Sequence, residues 1–392
     1  MKITFFFPYQ HVSGVPILFS RIISHFSNNK NVSIIDYENG ALTKLTSKYN
    51  IERIVFNDGV KINISSGILI MQAYSPEYIR PELTISNNVK ILFWILHSNN
   101  LKLNLFPNFK FLRFFELKKL KSFVELIDFK GGLISMDEST KFNTQKYLNI
   151  HLKNKIVPIL VEKKIFKSNK SIKNKNAWAY LGRVESFKTN PLIKLLESLD
   201  ILYINDFLDK NFVFHVIGNG KDLDILKSFS KKINFKINFL GFVENKNLNN
   251  TINSLKISCI AAMGTSILDA MSLGCTVIKL NFFQSKFKKY PKYYFKANEK
   301  TYCLGDELFS KDFHNIFPFD LRDIYLNYEN NFNDVIKNQE NYLMTFYDDS
   351  INLSKLEIAI DNCELRYLEI SNYFKRSILR KLYHKYRYNL FS

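Results

Sequence analysis

Cysteine is scarce in this chain: four in 392 residues, at Cys259, Cys275, Cys303 and Cys363. No CxxC pair occurs among them. That argues against a disulfide framework and a cysteine-held zinc site, and for a reducing compartment. No run approaches the ~18 consecutive apolar residues that suggest a membrane-spanning helix. The start, MKITFFFPYQ, lacks the apolar core and small-residue cleavage site of a secretory signal. It reads instead as a first strand. Acidic residues are outnumbered, 36 against 55 lysines and arginines, for a formal charge of +19. So basic a chain is drawn to polyanions: nucleic acid, an anionic bilayer or a phosphorylated substrate. No RNA-binding motif or zinc finger accompanies the charge, so nucleic acid is not an expected partner. The abundance of Lys, Asn, Ile and Phe also fits a plain bias in base composition.

What is present is a large hydrophobic fraction, 46%, in a chain long enough for two domains. Apolar runs at KITFFFP, VSIIDY, GILIMQ, VKILFWILHS, GGLISMD and KIVPILV read as strands, with a helix over SGVPILFSRIISHF. The polar, basic stretch EKKIFKSNKSIKNKN (162–176) reads as a linker. The rhythm then restarts with AWAYLGRV, FVFHVIG, INFLGFV, LKISCIAA and TVIKLNF as strands between helical patterns. Alternation of this kind predicts parallel sheets flanked by helices, with ligands beyond the carboxyl ends of the strands.

Three constellations carry chemistry. In AAMGTSILDAMSLGCTVI a strand ends near Ala262, Gly264 permits close approach, and Thr265 and Ser266 open a helix. First-turn amides there lack internal partners and suit an anion such as a pyrophosphate. Asp269, one turn in, can accept from a ribose hydroxyl. Equally, Ser266 and Asp269 have the spacing of a capping box. In YLGRVESFKTN, Arg183 and Lys188 stand in the loop after a strand. They can neutralise a leaving diphosphate, or be solvated surface charges. Gly218-Asn219-Gly220 makes a tight turn after FVFHVI. The following Asp222 and Asp224 read as first-turn acids of a helix or, less naturally, as a metal-binding DxD. In the first half, Gly14 lies between strand and helix. His97 ends the strand VKILFWILH, as a hydrogen-bonding partner for a sugar or an ordinary loop histidine. His11 is a weaker candidate of the same kind.

The order of HVSGVPILFSRI, LHSNN, YLGRVESFKTNPLIKLLESL, FHVIGNGKD, INFLGFV and GTSILDAMSLGCTVI resembles the GT-B glycosyltransferases, most of all the retaining family-4 group of the bacterial surface-polysaccharide type. The resemblance implies two doubly wound Rossmann-like domains facing a cleft: an acceptor-side domain over 1–163, a nucleotide-sugar-binding domain over 164–360, and a basic tail over 361–392. It implies that Arg183 and Lys188 hold the donor diphosphate, with amides of Gly264, Thr265 and Ser266. Asp269 takes the place of a ribose-binding glutamate, Gly14 lies beneath the phosphate and acceptor, and His97 touches the transferred sugar. Gly218 belongs to the donor-binding set. No cofactor and no metal are implied, since the cations and helix amides stabilise the leaving nucleotide. The sequence departs from the pattern at Ala261, where the resemblance places a glutamate, and at Ser13-Gly14, where it places two glycines. Donor-sugar recognition then falls to other groups, such as the amides near Met263 and Gly264. Alternatives are a sugar-nucleotide epimerase and a catalytically degenerate binding protein.

Two basic, aromatic segments, LKLNLFPNFKFLRFFELKKLKSF (101–123) and YFKRSILRKLYHKYRYNLF (373–391), suit an anionic bilayer surface or a helix packed back on the first domain. The membrane reading makes the protein cytoplasmic and peripheral on the inner face of the plasma membrane. Its acceptor would be a saccharide or a polyprenyl-diphosphate-linked one.

Overall fold

The computed structural model describes residues 1–11, 13–76, 82–97, 99–102, 110–161, 174–281, 293–305 and 320–374. The chain forms two compact units, Met1–Leu160 with Asp349–Ser392, and Val161–Asp348. Strands of the first are β1 (Lys2–Phe6), β2 (Asn31–Asp36), β3 (Glu52–Val55), β4 (Ile62–Ile64), β5 (Ile68–Gln72), β6 (Leu83–Ile85), β7 (Lys90–Ile95), β8 (Leu133–Ser135) and β9 (Lys155–Ile156). Its helices begin with α1 (Gly14–Phe26), α2 (Ala41–Leu45), α3 (Asn99–Lys102), α4 (Lys110–Phe129) and α5 (Glu138–Leu148). The main sheet is parallel, in the order β3-β2-β1-β5-β7-β8-β9. Every residue of β5 is buried, and all of β7 after Lys90. Consecutive burial means both faces are covered, as unbroken apolar runs require in a parallel sheet. On α1 the buried Leu18, Phe19, Ile22, Ile23 and Phe26 recur at helical spacing and set the face it presents to the core. The order reverses between β1 and β5, and Gly14 opens the helix that follows β1 at that point.

The second unit has β10 (Asn174–Leu181), β11 (Val213–Ile217), β12 (Lys236–Gly241), β13 (Ile257–Ala262) and β14 (Thr276–Lys279). Its helices are α6 (Ser186–Ile204), α7 (Leu223–Ser230), α8 (Asn245–Ser254), α9 (Thr265–Ser272), α10 (Leu321–Asn330) and α11 (Phe332–Phe346). The sheet, again parallel, runs β12-β11-β10-β13-β14. Trp178, Tyr180, Leu195, Leu199, Phe212, Phe214 and Tyr328 build its core. The chain thus moves outward from β10 to β12, crosses back through α8, and resumes beside β10 at β13. That reversal is a topological switch point, where the loops diverge and leave a crevice at the carboxyl edge.

The last helices, α12 (Asp349–Asp361) and α13 (Tyr367–Ile370), group with the first unit. Ile91 donates its amide to the Leu365 carbonyl at 3.0 Å, Tyr367 to that of Val89 at 2.9 Å, and Lys30 pairs with Glu357 at 2.9 Å. Residues 349–360, expected in the second domain, therefore lie with the first, where the returning chain exchanges backbone hydrogen bonds with Val89 and Ile91 around the start of β7. The linker expected over 162–176 ends earlier, since Asn174 already begins β10. Its residues 162–173 lie outside the described residues, as do 103–109 and 375–392 of the two basic segments. The sequence reading also passed over the three-residue pair β4 and β6, too short to show periodicity. Leu365 is fully buried. Its replacement, Leu365→Ala, should lower stability by about 2–5 kcal/mol in urea denaturation, as for a core leucine.

Candidate functional site

β10 and β13 lie side by side, with Leu181 opposite Ala262. The turn Gly182–Glu185 and the turn Met263–Gly264 therefore leave adjacent strands at one edge, flanking the switch point. Arg183 and Lys188 come from the first turn and the helix after it; Thr265 and Ser266 open α9 from the second. A single strand pairing, Leu181 with Ala262, sets on adjacent strands the two turns that carry these predicted site residues.

The Arg183 turn is held on all sides. Tyr180 donates its hydroxyl to the Arg183 carbonyl at 2.9 Å, and the Gly182 amide reaches the Ile217 carbonyl at 3.0 Å. Val184 donates to Asn219 at 3.0 Å and accepts from Asp222 at 3.1 Å. A Cβ on Gly218 would meet the Gly182 carbonyl oxygen at 1.8 Å, and one on Gly220 the Val184 carbonyl oxygen at 2.1 Å. Gly218 was expected to help bind a donor. What the structure shows it doing is packing: it lets the β11 turn lie against the Arg183 turn. Gly220 and Tyr180 share that work, and the sequence reading missed both roles. The spacing of the GNG turn was the available signal.

Lys188 does not lie in a loop as expected. Helix α6 begins at Ser186, five residues before Pro191, so Lys188 sits in its first turn. Its amide and that of Thr189 both reach the Glu185 carbonyl, at 2.7 and 2.8 Å. The ammonium is partly buried and lies 5.8 Å from the Phe187 ring centroid. Burial, with Arg183 adding repulsion and Glu185 opposing it, lowers its pKa from 10.5 to about 8. Arg183 is exposed and its guanidinium pairs with Glu185 at 3.2 Å. Such an exposed pair contributes about 0–1 kcal/mol and can open for a stronger anion.

At the second turn, Gly264 has φ 68° and ψ −149°, a region open essentially to glycine alone. Its own amide is committed to the Leu304 carbonyl at 2.7 Å. The amides that start the helix without an intrahelical acceptor are those of Thr265 and Ser266. Gly264 thus shapes the turn where a phosphate-binding amide was expected. The capping-box alternative also falls: Gly264 is the N-cap, so Ser266 and Asp269 lie inside α9. Met263 and Ala261 are buried in the core, so neither side chain is offered at the edge. Gly274, at φ 72°, ends the helix.

In the first unit, Gly14 is exposed at the first position of α1. His97 lies two residues past β7; its Nδ1 accepts the Asn99 amide at 3.1 Å, which leaves the ring proton on Nε2. His11 is exposed and its ring meets that of Tyr9 edge-on, centroids 5.8 Å apart. Asp222 occupies the N-cap position of α7 without a side-chain capping hydrogen bond, and Asp224 stands in the first turn. Among the described residues no group of three or more His, Cys, Asp or Glu could hold a metal ion.

The Glycosyl transferases group 1 family profile matches residues 161–285, the segment that carries both turns. The chain is a glycosyltransferase with the GT-B fold. Among solved structures, Anabaena HepE in complex with UDP and glucose superposes at TM-score 0.58, with 11% identity, over 92% of this chain and 99% of that one. HepE with UDP alone gives 0.57, and with UDP-glucose 0.56, at 11% and 10% identity. The UDP complex covers 92% of this chain and 100% of its own, the UDP-glucose complex 92% and 99%. No curated protein matches the chain. At this identity the likeness bears on fold, and it agrees with two Rossmann-like units built on parallel sheets.

The interlocked turns make a direct prediction. Gly218→Ala drives a methyl into backbone and should cost about 1–3 kcal/mol, the range for overpacking. Chemical denaturation measures it, and Asn219→Ala serves as the neighbouring control.

Proposed function

We propose that this glycosyltransferase moves a hexosyl group from a nucleoside-diphosphate sugar to a saccharide or polyprenyl-diphosphate-linked acceptor, with retention of configuration. The observation that carries the donor half is the placement of Arg183, Lys188 and the start of α9 at one switch point. Negative charge develops on the leaving diphosphate as the glycosidic bond breaks. Two cations and two helix-start amides at that position favour the charged state over the bound sugar nucleotide. Asp269 accepts from ribose, and His97, with its proton on Nε2, donates to a hydroxyl of the transferred sugar. Gly14 leaves room for phosphate and acceptor. The retaining course has the acceptor attack the face from which the nucleotide leaves. The proposal assigns no metal and no cofactor. The HepE complexes make UDP-glucose the first donor to test.

Ala261 favours a second reading. It is a buried methyl where the resemblance places a sugar-binding glutamate, which suits a binding protein that has lost turnover. Release of UDP from UDP-glucose with added acceptor separates the two.

Calorimetry with UDP tests the donor site. Arg183→Glu with Lys188→Glu should abolish binding while circular dichroism stays unchanged; unaltered affinity removes the assignment. The pH profile carries a sign. Below pH 8 Lys188 is protonated in the free protein, and an anion raises its pKa further. Affinity should therefore be flat below about pH 8 and weaken above it, through proton uptake on binding. Lys188→Met should bind more weakly at pH 7 and lose this dependence.

A membrane-facing role for the first unit rests on where its aromatics stand. Phe114 and Phe115 of α4 are exposed, with Lys118 exposed beside them. Phe123 of the same helix meets the rings of Tyr373 and Phe374 at 5.4 and 6.0 Å. The described chain thus reaches Phe374, the residue before the basic tail, against the helix that carries part of the other basic segment. Each lysine or arginine near an anionic surface contributes about 1 kcal/mol. This supports a peripheral protein on the inner face of the plasma membrane. Removing 375–392 should reduce sedimentation with phosphatidylglycerol vesicles in a salt-sensitive way, and Phe114→Asp with Phe115→Asp should reduce it further. Equal sedimentation of all three proteins defeats the proposal.

A further inference from the structure

Two lysines in the second unit have no exposed side-chain surface. Lys279, the last residue of β14, and Lys296 both reach Glu299, at 3.0 and 2.7 Å, and Glu299 is itself only 19% exposed. Lys296 also donates to the Thr301 carbonyl at 2.9 Å, and Lys279 lies 3.2 Å from the Cys303 sulfur. Each ammonium has an aromatic ring near it, Tyr294 at 5.2 Å and Tyr342 at 4.7 Å. Burying charges costs several kcal/mol per ion, and apolar replacements of a buried pair are often neutral or stabilising. Stability is therefore a poor reason for this network, and its place in the chain suggests another.

The segment 296–304 is pinned at successive points. Lys296 and Tyr342 both donate to the Thr301 carbonyl, the latter at 2.6 Å, and Tyr347 donates to Tyr302 at 2.7 Å. The next carbonyl but one, that of Leu304, receives the Gly264 amide at 2.7 Å. Gly264 is the N-cap whose conformation orients Thr265 and Ser266. Helix α11 supports the far end of α9 as well, since Gln339 donates to the Cys275 carbonyl. The register continues the link: Lys279 pairs with Ala262, two residues before Gly264.

We infer that Lys279, Glu299 and Lys296, with Tyr342, are positioning residues: they hold the strap 296–304 so that Leu304 fixes the Gly264 turn and aims the first amides of α9. None of them is assigned contact with ligand. The effect on nucleotide affinity rests on the proposed donor site, whereas the effect on the turn does not.

The test uses the full chain and two variants, Lys296→Met and Tyr342→Phe. The second removes one hydroxyl, keeps the ring, and serves if the first fails to fold. UDP is titrated by calorimetry, and amide hydrogen exchange is followed at Gly264 and, for reference, along β11. Both variants should fold, exchange faster at Gly264 with β11 unchanged, and bind UDP about tenfold more weakly, the effect of one weakened hydrogen bond to a charged group. Arg183→Ala should weaken UDP binding with no change at Gly264. Unchanged exchange at Gly264 in a folded variant overturns the inference, as does faster exchange with undiminished UDP affinity. If the unaltered chain binds no UDP, the donor reading fails and the exchange at Gly264 alone decides the positioning role.

Discussion

The pairing of β10 with β13 is the contact on which the site depends. A parallel sheet whose chain reverses direction must place two non-consecutive strands side by side, and the loops beyond them then diverge. Here those loops hold a cationic turn and a helix start. Neither is a strong anion site by itself. An exposed cation such as Arg183 is screened, and helix-start amides carry partial charges that act over short range. The pairing of Leu181 with Ala262 sets the two turns on adjacent strands at one edge of the sheet.

That position is maintained at a cost to the fold. Lys188 releases its proton near pH 8 where an ordinary lysine does so at 10.5. A base whose folded pKa is depressed opposes folding while it is charged. The penalty is full below about pH 8 and fades as pH rises toward 10.5. An anion bound beside it would offset the same penalty. Around it the backbone is crowded to the limit that glycine allows at Gly218 and Gly220, and Gly264 adopts a conformation other residues resist. Strain, burial of charge and close packing coincide at one edge of one sheet.

Much of this was legible beforehand. The apolar runs GILIMQ and VKILFWILHS read as strands, and they form β5 and β7, covered on both faces. The helix after GTS was legible from its punctuation: a glycine before it and Gly274 after it. Other elements were not. Lys188 reads from sequence as part of the loop after a strand, yet α6 runs through it from Ser186. Ser266 and Asp269 looked like a cap because spacing alone does not reveal where a helix begins. Gly264 looked like a phosphate ligand because nothing nearby in sequence reports that Leu304 takes its amide.

The sequence by itself determined the alternation of strands and helices, the two parallel sheets, and the residues whose chemistry suits an anion. These follow from local periodicity and residue type, which neighbours in the chain decide. Only the tertiary structure decided which groups meet: that β13 returns to β10, that residues 349–374 cross to the first unit, and that buried lysines brace the Gly264 turn. Those outcomes rest on contacts between distant segments, where hydrogen bonds and burial choose among partners that local propensity leaves equivalent.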